Sequence, residues 1–218
     1  MKLGVFITFE GSEGCGKSTQ IEVLARHLRA LGYRVRTLRE PGGTPIGEEI
    51  RHTLKHSKAN HAMTAEAELL LMNASRAQLV REVIRPALAA GEVVVCDRFY
   101  DSTTAYQGYG RQLDLAMVKS VIDIAVGDTR PDLTLLLTVT PVTAAQRRAQ
   151  RQSSLPFMRD RIEESDQKFF ERVEKGFAAA AAAEPGRFRV VEASGSMESV
   201  SGRIWDLVRP VLPKIGRW

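Results

Sequence analysis

The chain has 218 residues, of which 44% are hydrophobic and 26% are charged. These values are typical of a soluble globular protein with one sizeable core, so we expect a single domain over residues 1–218. The net charge of +5 indicates an anionic partner, and the scattered arginines favour a small phosphorylated ligand over a nucleic-acid track. No apolar stretch approaches the roughly 20 residues of a membrane span. Two cysteines without metal-site spacing indicate reduced thiols in the cytoplasm.

Short apolar runs alternate with amphipathic runs along the chain. Strands are predicted at 3–10, 33–39, 92–96, 133–139 and 187–191. Helices are predicted at 17–31, 46–55, 65–90 (kinked near Pro86), 113–126, 143–151, 162–183 and 197–211. Buried strands that alternate with helices form parallel sheets, so we expect an α/β fold with a five-stranded parallel sheet flanked by helices. Such sheets bind ligands at the carboxyl ends of their strands.

A glycine-rich segment follows the first predicted strand. Residues 11–18, GSEGCGKS, fit the phosphate-loop pattern G-x-x-x-x-G-K-[ST]. Its backbone N–H groups and the following helix N-terminus attract phosphate oxygens. Lys17 is predicted to reach the β- and γ-phosphates and Ser18 to ligate Mg²⁺. The predicted ATP-binding residues are Gly11, Ser12, Glu13, Gly14, Cys15, Gly16, Lys17, Ser18 and Thr19.

The third predicted strand ends in two charged residues, Asp97 and Arg98. A carboxylate at this edge can hold the waters of Mg²⁺, so Ser18 and Asp97 are the predicted metal site. An arginine can grip a phosphate through two parallel hydrogen bonds. Arg98 is therefore predicted to act on the transferred phosphate. Cys15 and Cys96, beside these groups, are interpreted as small buried side chains.

Five stretches together resemble the thymidylate kinases over essentially the whole chain. They are FEGSEGCGKST at 9–19, REPGGTPIGEEIR at 39–51, DRFYDSTTAYQGYGR at 97–111, RPDLTLLL at 130–137 and DRIE at 160–163. The resemblance implies a three-layer phosphate-loop nucleoside monophosphate kinase fold with a small lid. It implies transfer of the γ-phosphoryl group of ATP to dTMP with Mg²⁺. It also implies a homodimer, for which helix 65–90 is the expected contact.

The resemblance further implies roles in the acceptor site. Glu13 is expected to receive the sugar 3′-hydroxyl, Tyr106 to crowd the 2′ position, and Arg76 to donate to a thymine carbonyl. The bond before Pro41 is expected to be cis. The residues predicted to bind dTMP are Glu13, Arg39, Glu40, Pro41, Arg51, Met72, Arg76, Arg98, Thr103, Tyr106 and Gln107.

Two positions depart from the family pattern. The family commonly stacks a phenylalanine on thymine where this chain has Met72. A thioether also packs on an aromatic face, with a gain of about 0.3–1.5 kcal/mol. Asn73 replaces an often apolar or aromatic residue, and the sequence assigns it no role.

An arginine-rich segment at about 146–162 is predicted to be the lid that closes over the triphosphate and excludes water. The phosphate loop has no arginine, so the chain resembles the family version whose catalytic arginine lies in the lid. Arg151 and Arg161 match that arginine best, and Arg147 is the next choice. With Lys17 and Arg98, Arg151 and Arg161 complete the predicted catalytic set.

Two alternatives remain open at this stage. Met72 leaves room for a kinase of another nucleoside monophosphate. The basic composition leaves room for a phosphate-loop ATPase that binds nucleic acid, which would show polynucleotide-stimulated ATP hydrolysis. The acceptor-site pattern predicts neither a nucleic acid nor a membrane as partner.

Overall fold

The computed structural model describes residues 3–140, 142–144, 146–147, 161–162 and 166–213. Its strands form one parallel sheet in the order β2-β3-β1-β4-β5. They are β1 (Val5–Glu10), β2 (Val35–Arg39), β3 (Val93–Asp97), β4 (Leu133–Thr138) and β5 (Phe188–Glu192). The central strand β1 pairs with both β3 and β4, so the strand order reverses direction there. Ligands of such sheets bind at that reversal point.

Helices cover both faces of the sheet. They are α1 (Lys17–Ala30), α2 (Pro45–Lys55), α3 (Ala65–Leu79), α4 (Arg85–Ala89), α5 (Tyr100–Thr103), α6 (Leu115–Val126), α7 (Gln167–Ala183) and α8 (Met197–Val208). Two π-helical segments, Val80–Ile84 and Thr104–Gly110, adjoin them. Short 3₁₀ turns lie at Asn60–Ala62 and Arg209–Val211. None of the helices in the described part of the chain has the length and apolar character that crossing a membrane requires.

The two faces of β1 belong to different cores. Val5, Ile7 and Phe9 pack into one core that includes apolar residues of α1 and α8. Phe6 belongs to the other, which includes residues of α3 and α6. Because both faces of the strand are buried, its sequence is nearly continuously apolar. The predicted α/β fold with five parallel strands is confirmed.

The predicted helix at 65–90 is interrupted, as its proline suggested. The chain leaves the α-helical pattern at Val80–Ile84 and resumes it at Arg85. Pro86 has no N–H to donate to the preceding turn, which accounts for an irregular turn just before it.

Other boundaries differ from the prediction. The helix predicted from 162 begins at Gln167, where the Asp166 carboxylate caps it by accepting from the Phe169 N–H at 2.7 Å. The helix predicted to end at 211 stops at Val208, before a 3₁₀ turn that contains Pro210. The segment after β3, for which the sequence predicted no element, is helical from Tyr100 to Gly110. Most of the helix predicted at 143–151 lies outside the described residues.

A buried ion pair ties α5 to the beginning of β5. Arg187 donates from Nη1 and Nη2 to the two carboxylate oxygens of Asp101, both at 2.7 Å. The side chains are 10% and 3% exposed. Removing one partner of such a pair leaves the other charge buried and uncompensated.

We therefore expect Arg187→Leu to lower the free energy of unfolding by about 3–5 kcal/mol. Arg36→Leu is the matched control, because Arg36 also makes a two-bond pair, with Glu92, but is 46% exposed. Loss of this exposed pair should lower the free energy of unfolding by less than about 1 kcal/mol. Urea denaturation of the two variants measures both values, and equal losses would contradict the assignment.

Candidate active site

The loop between β1 and α1 has a backbone that only glycine adopts easily. Gly11, Gly14 and Gly16 have φ angles of 129°, 81° and 94°. A Cβ atom at Gly11 would lie 2.2 Å from the carbonyl oxygen of Leu137. The glycines therefore serve both the left-handed turns and the close approach of β4.

Lys17 folds back over this loop. Its ammonium group donates to the carbonyl oxygens of Gly11 and Ser12, both at 3.0 Å, and lies 3.7 Å from Cys15 Sγ. Only 7% of Lys17 is exposed. Cys15 and Cys96 are buried free thiols, and burial raises the pKa of Cys96. The interpretation of both cysteines as small buried side chains agrees with this burial.

Ser18 and Asp97 meet at the carboxyl edge of the sheet, although 79 positions separate them in the chain. The hydroxyl of Ser18 donates to Asp97 Oδ2 at 2.9 Å, because β1 and β3 are neighbours and Phe9 pairs with Asp97. Both oxygens are hard ligands of the kind that Mg²⁺ prefers. Within the described ranges, no group of three or more His, Cys, Asp or Glu side chains could hold a metal. These two oxygens thus fit a cation that keeps most of its shell as water and phosphate.

Arg98 is held in an unusual backbone conformation. Its φ of 68° lies in the left-handed region, which is uncommon for a non-glycine residue and is often found at functional sites. Its guanidinium donates to Glu13 Oε1 at 3.1 Å, to the Tyr106 hydroxyl at 3.2 Å and to Ser102 Oγ at 3.0 Å. Burial opposes its charge, but the facing Tyr106, Glu13 and Glu10 raise the pKa of Arg98.

Glu10, the last residue of β1, supports this arginine from behind. Its carboxylate accepts from the Phe99 N–H at 2.8 Å and from the Ser102 hydroxyl at 2.5 Å, and it is fully buried. Ser102 in turn accepts from Arg98. Burial, and to a lesser extent Asp101, raises the pKa of Glu10 to about 7. Neither Glu10 nor Ser102 was predicted from the sequence, although a carboxylate that ends an apolar strand was a signal for Glu10.

A cleft opens beside these groups. Nine of the eleven residues predicted to bind dTMP line it: Glu13, Glu40, Pro41, Met72, Arg76, Arg98, Thr103, Tyr106 and Gln107. Four further lining residues were not predicted from the sequence: Lys55, Ser102, Ile162 and Phe170. Charged, polar and apolar side chains thus converge in one concave site, as they do in small-molecule sites.

The other two predicted residues do not line the cleft. Arg39 is half exposed and donates to Glu48 at 2.9 Å. Arg51 donates to the carbonyl oxygen of Pro41 at 2.8 Å and so supports the cleft wall from outside. The Glu40–Pro41 bond is cis, as the sequence analysis expected.

Arg76 is already engaged by the protein. Nε and Nη2 contact Glu40 Oε2 at 2.8 and 2.7 Å, and Nη2 also donates to the Phe99 carbonyl at 3.2 Å. Nη1 donates to Asn73 Oδ1 and Thr103 Oγ1, both at 2.8 Å. Asn73, which the sequence analysis left without a role, thus orients Arg76. A thymine carbonyl would have to share one of these donors.

The arginine-rich segment is described at two of its arginines. Arg147 donates to the Ala193 carbonyl at 3.0 Å. Its side chain lies beside the phosphate loop, because a Cβ atom placed on Gly16 would be 3.7 Å from Arg147 Nη1. Arg161 pairs with Glu68 and donates to the Met63 carbonyl at 3.1 Å. Arg148, Arg151 and Arg159 lie outside the described residues.

The cleft opens within reach of the phosphate loop, because Glu13 of the loop lines it together with Arg98. A ligand in the cleft therefore meets the end of a phosphate chain that the loop holds. On a five-stranded parallel sheet, this is the arrangement of the phosphate-loop nucleoside monophosphate kinases, a class of phosphotransferases to which the chain belongs.

Comparisons with known proteins narrow the class to one family. A family model described as thymidylate kinase matches residues 9–204. The thymidylate kinase of Chlorobium luteolum is 48% identical over 201 residues, which are 90% of this chain and 92% of that one. That of Geobacter sulfurreducens is 46% identical over 97% of this chain and 100% of its own. A crystal structure of thymidylate kinase from Ehrlichia chaffeensis matches with a TM-score of 0.76 at 31% identity, covering 94% of this chain and 98% of that chain. The chain belongs to the thymidylate kinase family.

The raised pKa of Glu10 makes stability depend on pH. In the folded chain Glu10 keeps its proton up to about pH 7, whereas in the unfolded chain it loses it near its usual pKa of about 4.3. Unfolding therefore releases a proton in this window, and the free energy of unfolding falls as the pH rises through it. Between pH 5 and 8 we expect the free energy of unfolding of wild type to fall by up to about 3 kcal/mol relative to that of Glu10→Gln.

Urea denaturation at several pH values measures this difference. Glu92→Gln is the control, because the hydrogen bond from Arg36 lowers the pKa of Glu92 and moves its titration below this range. Its difference from wild type should be constant between pH 5 and 8. A difference for Glu10→Gln that is equally constant would contradict the assignment.

Proposed function

We propose that the chain transfers the γ-phosphoryl group of ATP to dTMP, giving dTDP and ADP. The observation that carries this proposal is the position of Arg98. It contacts Glu13 of the phosphate loop and lines the cleft, so it can bind the phosphates of both substrates. Membership of the thymidylate kinase family supports the choice of acceptor.

The chemistry needs positioning and charge neutralisation more than acid or base catalysis. The acceptor phosphate is already an anion, so no strong base has to remove a proton from it. The loop N–H groups and Lys17 would hold the donor phosphates. To do so, the Lys17 ammonium would leave the carbonyl oxygens of Gly11 and Ser12 and donate to phosphate oxygens instead. Arg98, fixed by Ser102 and Tyr106, would offset the charge where the two phosphates approach.

Mg²⁺ fits the pair of oxygens at the carboxyl edge of the sheet. Ser18 and Asp97 would hold it, directly or through water. When bound, the ion neutralises charge on the triphosphate.

The acceptor nucleoside fits the cleft beside the phosphate loop. Glu13 is proposed to receive the sugar 3′-hydroxyl, with Tyr106 against the 2′ position. Thr103 accepts a hydrogen bond from Arg76 and so keeps its own hydroxyl proton for a base carbonyl. Met72 and Phe170 supply apolar surface for the base.

The two lid arginines that the structure describes make different contacts. We retain Arg151 and Arg161 as proposed catalytic arginines, with Arg147 as the alternative. Of these two, Arg147 is better placed to contact the donor phosphates, because its side chain lies beside the phosphate loop, whereas Arg161 is paired with Glu68. The setting that we propose for the reaction is the cytoplasm.

A panel of nucleoside monophosphates with ATP and Mg²⁺ tests the function. We expect kcat/KM to be highest for dTMP, because the cleft combines a crowded sugar site with polar groups for a pyrimidine edge. Ribonucleotides should be poorer substrates. A higher kcat/KM for another base would favour the rival monophosphate kinase, and ATP hydrolysis stimulated by polynucleotides would favour the rival ATPase.

Two variants accompany the panel. Lys17→Ala should abolish turnover of every substrate, since the donor phosphates lose their ammonium contact. Met72→Phe should raise kcat/KM for dTMP by a few-fold, because a ring covers the base more fully than a thioether. Unchanged turnover in Lys17→Ala would contradict the role of the loop.

We also propose a homodimer, formed through the face that α3 and α6 share. Leu70 of α3 is 58% exposed and Ile124 of α6 is 76% exposed. An exposed apolar side chain on each of two helices that pack against each other is the reason for placing the contact there.

Light scattering should give a mass of two chains. Leu70→Lys should shift it toward one chain, because a lysine in an apolar interface is desolvated without a partner. Leu31→Lys is the control: Leu31 is 44% exposed at the end of α1, on the other side of the sheet. A single-chain mass for wild type at micromolar concentration would contradict the dimer.

A further inference from the structure

A buried carboxylate lies behind Gln107, one of the residues that line the cleft. Glu68 of α3 is completely buried. It accepts from Gln107 Nε2 at 2.6 Å, and Arg111 donates to it from Nε and Nη2 at 3.3 and 3.1 Å. Nothing in the proposed chemistry uses this residue directly, although Gln107 lines the cleft.

Two guanidinium groups pair with Glu68. Arg161 pairs with it from one direction and is itself anchored to the Met63 carbonyl. Arg111 pairs with it from another, with its guanidinium carbon 4.6 Å from the ring centre of Phe169. Neighbouring positive charge favours the ionised form of a carboxyl group, and an ionised carboxylate can only accept hydrogen bonds.

This charge decides how the amide of Gln107 is turned. An amide has two donors on nitrogen and an acceptor on oxygen, and only the nitrogen end can approach a carboxylate at 2.6 Å. The oxygen end is therefore the one that Gln107 can offer to a ligand. Among the residues that the structure describes, Gln107 Oε1 has no hydrogen-bond partner.

We propose that Glu68 is a positioning residue that sets base selectivity by fixing Gln107 with its oxygen available to the ligand. This inference rests on the proposed use of dTMP. Thymine presents an N–H at N3, which pairs with an oxygen acceptor. Cytosine presents a lone pair at N3, which that oxygen repels. An amide free to rotate would accommodate either base.

The test compares dTMP with 5-methyl-dCMP, which keeps the methyl group and sugar of dTMP but has the inverted pattern at N3. In Glu68→Gln the side chain at position 68 can both donate and accept hydrogen bonds, so it can pair with either end of the Gln107 amide. The Gln107 amide can then adopt both orientations. The ratio of kcat/KM for dTMP to that for 5-methyl-dCMP should fall about tenfold or more from wild type. If wild type does not phosphorylate dTMP, the proposed function fails, independently of this ratio.

A residue exchange provides the rescue. In the double variant Glu68→Gln/Gln107→Glu, the carboxylate at position 107 presents an acceptor whichever way it turns. The ratio should return toward the wild-type value. A purely structural role for Glu68 predicts something different, namely that both substrates lose activity in proportion and the ratio stays within twofold of wild type, which would overturn the proposal.

Glu68→Asp covers the case in which Glu68→Gln does not fold. It keeps a carboxylate for Arg111 and Arg161 but is shorter by one methylene, so its reach to Gln107 is lost. The same narrowing of the ratio is expected, and an unchanged ratio overturns the proposal here as well. Circular dichroism and thermal unfolding establish that each variant compared is folded.

Discussion

The candidate active site depends on one buried carboxylate at the end of the central strand. Glu10 accepts hydrogen bonds from the backbone of Phe99 and from the side chain of Ser102, and thereby fixes the turn that leaves β3. Arg98 lies in that turn, with a left-handed backbone that other residues must stabilise. Without this support, the guanidinium group of Arg98, which lies between the phosphate loop and the cleft, would not be held in one orientation.

Arginines paired with buried carboxylates also lie along the cleft. Arg76 and Glu40, both less than 5% exposed at their side chains, form the middle of the wall. Glu68 with its two arginines lies behind Gln107 of the cleft lining. Each pair is costly to bury, and each fixes the direction of a polar group that faces the ligand. The cleft is therefore shaped by charges held inside the protein as well as by its apolar lining.

Much of the fold and part of the site could be predicted from the sequence. The five strands are apolar because both sheet faces are buried, and the phosphate loop has glycines where its φ angles require them. Glu10 left only the signal of a carboxylate at the end of an apolar strand, and Ser102 left none, because each acts through a contact between β1 and the turn after β3. Asn73 is the clearest case: its residue type suggested a departure from the family, and only its contact with Arg76 gives it a function. The N-terminus of α7 was misplaced because a single capping residue, Asp166, outweighs helical periodicity upstream of it.

The π-helical segment Thr104–Gly110 constrains how this chain can vary. A π-turn contains one residue more than an α-turn, so it changes the rotational phase between the helical residues on its two sides. Each residue of an α-helix turns the chain by about 100°. Deleting one residue here would restore regular helix but rotate Thr103 relative to the packed face of Gly108 and Gly110. We therefore expect the length of this segment to be held constant among relatives more strictly than its composition.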